Sequence, residues 1–91
     1  MPYRSSYAPN LVIIACENSI EVTMDGRVVR FQDASPLLME TVRRGAAFSP
    51  LRNYLRYLTY SGVWPLHESE LTLPASVLEG VFCGARLIEA A

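Results

Sequence analysis

Cysteine is scarce in this 91-residue chain: only Cys16 and Cys83 occur, far apart in sequence. Two cysteines do not build the disulfide framework of a small secreted domain, so the sequence predicts a reducing, intracellular setting, cytoplasmic or nuclear. Histidine occurs once, at His67. With no C-x-x-C and no H-x-x-x-H spacing, no metal site is predicted. The five glycines are dispersed, which excludes a glycine-rich phosphate loop, and no cofactor is expected. No apolar run approaches the roughly 18 residues needed to cross a bilayer. The piece Ile13-Ile14-Ala15-Cys16 superficially resembles a lipoprotein cleavage site, but the apolar run before it is shorter than the ~7 to 15 residues of a signal segment. Positive charge is not in excess either. Eight basic and nine acidic residues leave a formal charge of -1, so nucleic acid is not an expected partner.

Apolar residues, in contrast, make up 51% of the chain. That suffices for one compact core and is too little for two. Residues 1–10 are rich in Pro, Ser and Tyr without periodicity and are predicted to form a loosely ordered arm, leaving 11–91 as the single domain. Leu11 to Cys16 is a continuous apolar run with β-branched residues, the pattern of a buried strand. Ile20, Val22 and Met24 then alternate with Glu21 and Thr23, the pattern of a half-buried strand. Asp25-Gly26 follows. Because a two-residue type I′ turn needs positive φ at both positions, this pair predicts a β-hairpin over 20–31.

The helical half opens at Ser35-Pro36, a capping hydroxyl followed by a proline whose missing N–H costs nothing at the first helical position. Leu38, Met39 and Val42 supply its apolar face, and Gly45 closes it. The pattern recurs at Ser49-Pro50, with Leu51, Leu55 and Leu58 as an apolar stripe and Gly62 as the end. A proline-bearing acidic loop is expected from Val63 to Thr72. After Leu73-Pro74, Val77, Leu78, Val81 and Phe82 repeat at helical spacing. Gly80 and Gly84 each cost about 1 kcal/mol in a helix, so they predict close packing or a break, with Ala85 to Ala90 as a separate short helix.

The remaining polar residues offer little chemistry. Cys16 or Cys83 with His67 is the one conceivable nucleophile and base pair, but neither cysteine has flanking residues that activate a thiolate. No enzyme is predicted. Arg43, Arg44, Arg52 and Arg56 form a stretch free of acids, read as a solvated helix face or a docking patch. Tyr54, Tyr57, Tyr60 and Trp64 crowd into eleven residues. Such side chains combine large apolar area with a polar tip, which suits either core packing or a protein interface.

The order strand, Asp-Gly turn, strand, Ser-Pro helix, second Ser-Pro helix, loop and C-terminal helices resembles the small BTB/POZ fold of the elongin C and Skp family, an α/β (α+β) architecture with a short sheet. The local matches are Leu55-Arg56-Tyr57-Leu58-Thr59-Tyr60 and Val81-Phe82-Cys83-Gly84-Ala85-Arg86-Leu87-Ile88-Glu89, closest to elongin C. The connection at Ala46-Ala47-Phe48 is shorter than in that family, and the extra run Leu11 to Cys16 leaves two registers open for the first strands. The resemblance implies an adaptor of a cullin-RING ubiquitin ligase, with a cullin and an elongin B-like subunit as partners. Its groove would receive the apolar helix, or BC box, of a substrate receptor. Carried over residue by residue, the groove candidates are Tyr57, Leu71, Leu73, Leu78, Val81, Phe82, Ala85, Leu87 and Ile88. All basic residues being arginine fits avoidance of lysine modification beside ubiquitin-transfer machinery, and equally fits genome composition. Two other readings stand beside it: a homo-oligomerising BTB/POZ-type structural domain, and a small bacterial or viral protein that sequesters a partner protein.

Overall fold

A computed structural model describes residues 11–65 and 67–89. The expected arm at 1–10 lies outside them. The chain is a small α/β domain: β1 (Leu11–Cys16), β2 (Ser19–Met24), β3 (Arg27–Gln32), α1 (Pro36–Arg43), α2 (Phe48–Tyr60), β4 (Glu70–Pro74) and α3 (Val77–Gly84). The four strands form one sheet in the order β1-β2-β3-β4. The first three form an antiparallel meander, and β4 returns parallel to β3 after the two helices have crossed one face.

The hairpin forms where the sequence places it. Asp25 and Gly26 take φ of 52° and 78° between Met24 and Arg27, the double positive φ of the primed turn. Ile20, Val22, Val29 and Phe31 have no exposed surface. The register puts Ile13, Val22, Val29 and Leu71 in one row and Ala15, Ile20, Phe31 and Leu73 in the next, all on the helix-covered face. On the opposite face Arg30 pairs with Glu21 at 3.2 Å and Glu70 at 3.5 Å. The Glu70 hydrogen bond, followed by its charge and those of Glu21, holds the Arg30 guanidinium above its ordinary value.

The run Leu11 to Cys16 is a strand, but only Leu11 within it is buried. It lies at the edge of the sheet, added outside the 20–31 hairpin, which settles the open register in favour of three successive antiparallel strands. Its continuous apolarity therefore does not report burial on both faces.

Ser35 caps α1 as expected, its hydroxyl accepting from the Leu38 N–H at 3.3 Å. Ser49 does not cap α2. The helix starts earlier, at Phe48, because Ala47 already has helical dihedrals and its carbonyl accepts from the Leu51 N–H at 3.0 Å, while Pro50 falls within the first turn, where its missing N–H is harmless. Gly45 and Gly62 close the two helices with positive φ. Leu51, Leu55 and Leu58 then join Leu38, Leu78, Phe82 and Trp64 in the core.

Two expectations fail in the C-terminal third. The acidic loop expected as far as Thr72 ends sooner, because Glu70–Pro74 is a strand whose Leu71 and Leu73 turn to the covered face. The separate helix at 85–90 is absent over its described part, which consists of turns and bends. The chain turns away at Arg86, where φ is 61°. The N–H groups of Arg86 and Leu87 donate to Cys83 O at 3.0 Å and Phe82 O at 2.8 Å, the paired bonds that end a helix in a Schellman motif. The break predicted at the glycines thus falls just after Gly84. Neither Gly80 nor Gly84 marks close packing, since a Cβ on either would meet open space.

Candidate functional site

Helix α2 divides its surface by spacing. Leu51, Leu55 and Leu58 face the core, while Tyr54, Tyr57 and Tyr60 recur every three residues around another face. Tyr54 is half-buried, its ring 6.3 Å from that of Phe31 on β3 and 6.3 Å, near-parallel, from that of Tyr57. Burial, and then the neighbouring Tyr57, raise the Tyr54 phenol above the ordinary tyrosine value. Tyr57 is 61% exposed and Tyr60 88%. Trp64, grouped with them by sequence, is instead fully buried.

Arg27 packs against it. The guanidinium carbon lies 3.9 Å from the Trp64 ring centroid. Its nitrogens donate to the carbonyls of Pro65 at 2.7 Å, Trp64 at 3.0 Å and Glu68 at 3.2 Å, and to Thr59 Oγ1 at 3.4 Å. One strand-borne cation thereby fixes the end of α2 and the connection to β4.

Beside that face runs an open groove of about 460 Å³ between α2 and α3, lined by Ser49, Pro50, Asn53, Tyr54, Val81, Gly84 and Ala85. Gly84 and Ala85 add little side-chain bulk to its α3 side. The Tyr54–Tyr57 stack carries the groove outward onto the exposed tyrosines.

The nine groove candidates from the sequence are divided by the fold. Val81 and Ala85 line this groove, and Tyr57 stands beside it. Leu78 and Phe82 have no exposed surface and belong to the core. Leu71 and Leu73 are half-buried on the covered face of β4. Leu87 packs against the core past the end of α3, and Ile88 lines a different depression with Leu37, Leu38 and Cys83. The helical spacing of Val81, Phe82 and Ala85 did not separate core from rim, because α3 is short and apolar on more than one side. Tyr54, Pro50 and Asn53 were not assigned to the groove by sequence; the signal available was that Tyr54 and Asn53 precede Tyr57 on α2 by three and four residues and Pro50 by two turns.

Other chemistry-bearing groups are dispersed. Among the described residues no three His, Cys, Asp or Glu side chains gather to hold a metal. His67 is exposed and lies 3.6 Å from Glu68, Cys16 is exposed at the end of β1, and Cys83 Sγ approaches Glu89 O at 3.4 Å. Among the described residues, arginine ion pairs form at Arg30 and leave Arg43, Arg44, Arg52 and Arg56 without an acidic partner. No described helix is long and apolar enough to cross a membrane. Comparison with family models, with curated proteins and with solved structures found no match.

Proposed function

We propose that this domain is a non-catalytic protein-interaction adaptor whose α2–α3 groove takes an apolar helix from a partner protein. The observation that carries the reading is the exposed tyrosine face, Tyr57 and Tyr60, set on α2 beside a groove lined by Gly84 and Ala85. Helix-in-groove recognition needs an apolar channel with low walls and aromatic anchors at its rim, and it needs no bond-making group. The elongin C resemblance supplies the kind of assembly: a cullin-RING ubiquitin ligase inside the cell, in which the helix belongs to a substrate receptor and an elongin B-like subunit and a cullin are the other partners. Of the residues that the resemblance nominates, Tyr57, Val81 and Ala85 are the ones this proposal keeps for the helix.

The test compares partner capture by Tyr57→Ala and Ala85→Asp with that by Arg43→Ala, after circular dichroism has shown each variant folded. Loss of a tyrosine anchor is expected to weaken binding by at least about 2 kcal/mol, roughly 30-fold, and the arginine variant to bind nearly as wild type. Normal capture by both groove variants with loss in Arg43→Ala would move the docking site to the basic stretch.

A further inference from the structure

The two edges of the sheet are unlike. The β4 edge carries Glu70 and Pro74, a charge and a residue without an N–H, both of which discourage strand addition. The β1 edge, Leu-Val-Ile-Ile-Ala-Cys, carries no charge, no proline and no glycine. It is apolar on both faces: Ile14 is 47% exposed on the open face, and Ile13 and Ala15 are only half-buried on the helix side. Next to it lies a notch of about 330 Å³ lined by Ile13, Ala15, Val42, Ala47 and Phe48, with Arg43 and Gly45 at its rim.

The register fixes which backbone groups of β1 point away from β2. Cys16 and Ser19 flank the two-residue link Glu17-Asn18 and form the hydrogen-bonded closing pair, so Val12, Ile14 and Cys16 spend their N–H and C=O groups on β2. Leu11, Ile13 and Ala15 point theirs away from the sheet, and no described residue beyond β2 bonds to them. We propose that β1 pairs antiparallel with β1 of a second copy of this chain about a twofold axis through Ile13, giving one continuous eight-stranded sheet. A twofold axis normal to the sheet must match residues that face the same side, and centring it on Ile13 sets Leu11 opposite Ala15 of the mate and Ile13 opposite its own copy. All six outward-pointing backbone groups of each strand then find partners. Val12 meets Ile14 of the mate on the open face as a non-hydrogen-bonded pair, the arrangement with the closest side chains. The two Ile13 side chains meet beside the notches.

A second copy fits better than a charged peptide because the strand complements itself in register and apolarity. The contact is small. A six-residue edge is about 20 Å long, and even with the notch it stays below the ~800 Å² per partner of a standard interface. A weak, concentration-dependent dimer is therefore expected, formed at the sheet edge and independent of the α2–α3 groove.

Sedimentation equilibrium of the full chain from about 5 to 500 µM, with amide hydrogen exchange at both ends of that range, tests the proposal. The expected result is a monomer–dimer equilibrium in which the Leu11, Ile13 and Ala15 amides gain protection with concentration, while those of Val12 and Ile14 are protected throughout. Ile14→Lys, at an exposed position that leaves the fold intact, should weaken dimerisation at least 10-fold, and the uncharged Ile14→Thr by less. Tyr57→Ala should leave it unchanged. Three results would overturn the proposal: a wild-type monomer at 500 µM, a dimer indifferent to Ile14→Lys, or β1 amides that become protected only when an apolar extended peptide is added to a monomer.

Discussion

Replacing Arg27 by alanine removes more than a surface charge. The guanidinium donates to the carbonyls of Trp64 and Pro65 at 3.0 and 2.7 Å, makes longer bonds to Glu68 O and Thr59 Oγ1, and lies against the Trp64 ring. Counting about 1 kcal/mol for each of the two short, partly solvated bonds and about 0.5–1 kcal/mol for the cation–π contact, Arg27→Ala should destabilise the domain by about 2.5–3 kcal/mol. For a domain of this size that is a fall of roughly 10–24 °C in Tm. Arg27→Lys keeps the charge without the planar fork and should recover only part of the loss. Urea denaturation followed by circular dichroism measures the stability. Trp64 is the chain's one tryptophan and fully buried, so its fluorescence reports the same site independently. A stability change below about 0.5 kcal/mol with unaltered emission would refute the clamp at the end of α2.

Three further outcomes follow from local geometry. Gly26→Val places a β-branched residue at φ 78° and should cost at least about 1 kcal/mol, read as a shift in the urea midpoint, whereas space is no obstacle because a Cβ there meets nothing within 4 Å. Arg86→Gly relieves a side chain held at φ 61° in the C′ position of α3 and should stabilise by up to about 1 kcal/mol by the same measurement. Since burial and Tyr57 raise the Tyr54 phenol in the folded state, the fold retains that proton longer than the unfolded chain does. Stability should therefore fall as pH rises past the ordinary tyrosine value near 10 and on through the raised one. Thermal melts between pH 9 and 11 should show a shallower decline for Tyr54→Phe than for wild type.

Local chemistry made the first half of the chain legible. Asp25-Gly26 admits few alternatives to a primed turn, Ser35-Pro36 is a helix start with a mechanism, and Gly45 and Gly62 end the two helices where expected. The second half depends on distant contacts. Leu71 and Leu73 alternate with Glu70, Thr72 and Pro74, a period-2 signal, but it becomes a strand only by pairing with β3 some 40 positions earlier, and the acids and proline nearby argued for a loop. Arg86 hid the end of α3 because a helix stop is read from glycine or asparagine, and here an arginine holds the left-handed conformation while Leu87 bonds back to Phe82. For the site, spacing identified an apolar face on α3 without telling the buried Leu78 and Phe82 from the groove-lining Val81 and Ala85. That distinction depends on where α2 crosses.

The central claim, docking of a partner protein at the α2–α3 groove, is tested most directly by a photo-crosslinking amino acid placed at Tyr57 and, as control, at Thr72 on the exposed opposite face of the sheet. With the full chain in its native cells, the expected result is a discrete adduct with another protein from position 57, joined within an apolar helical segment of that protein, and none from position 72. Adducts from position 72 with none from position 57 would contradict the account.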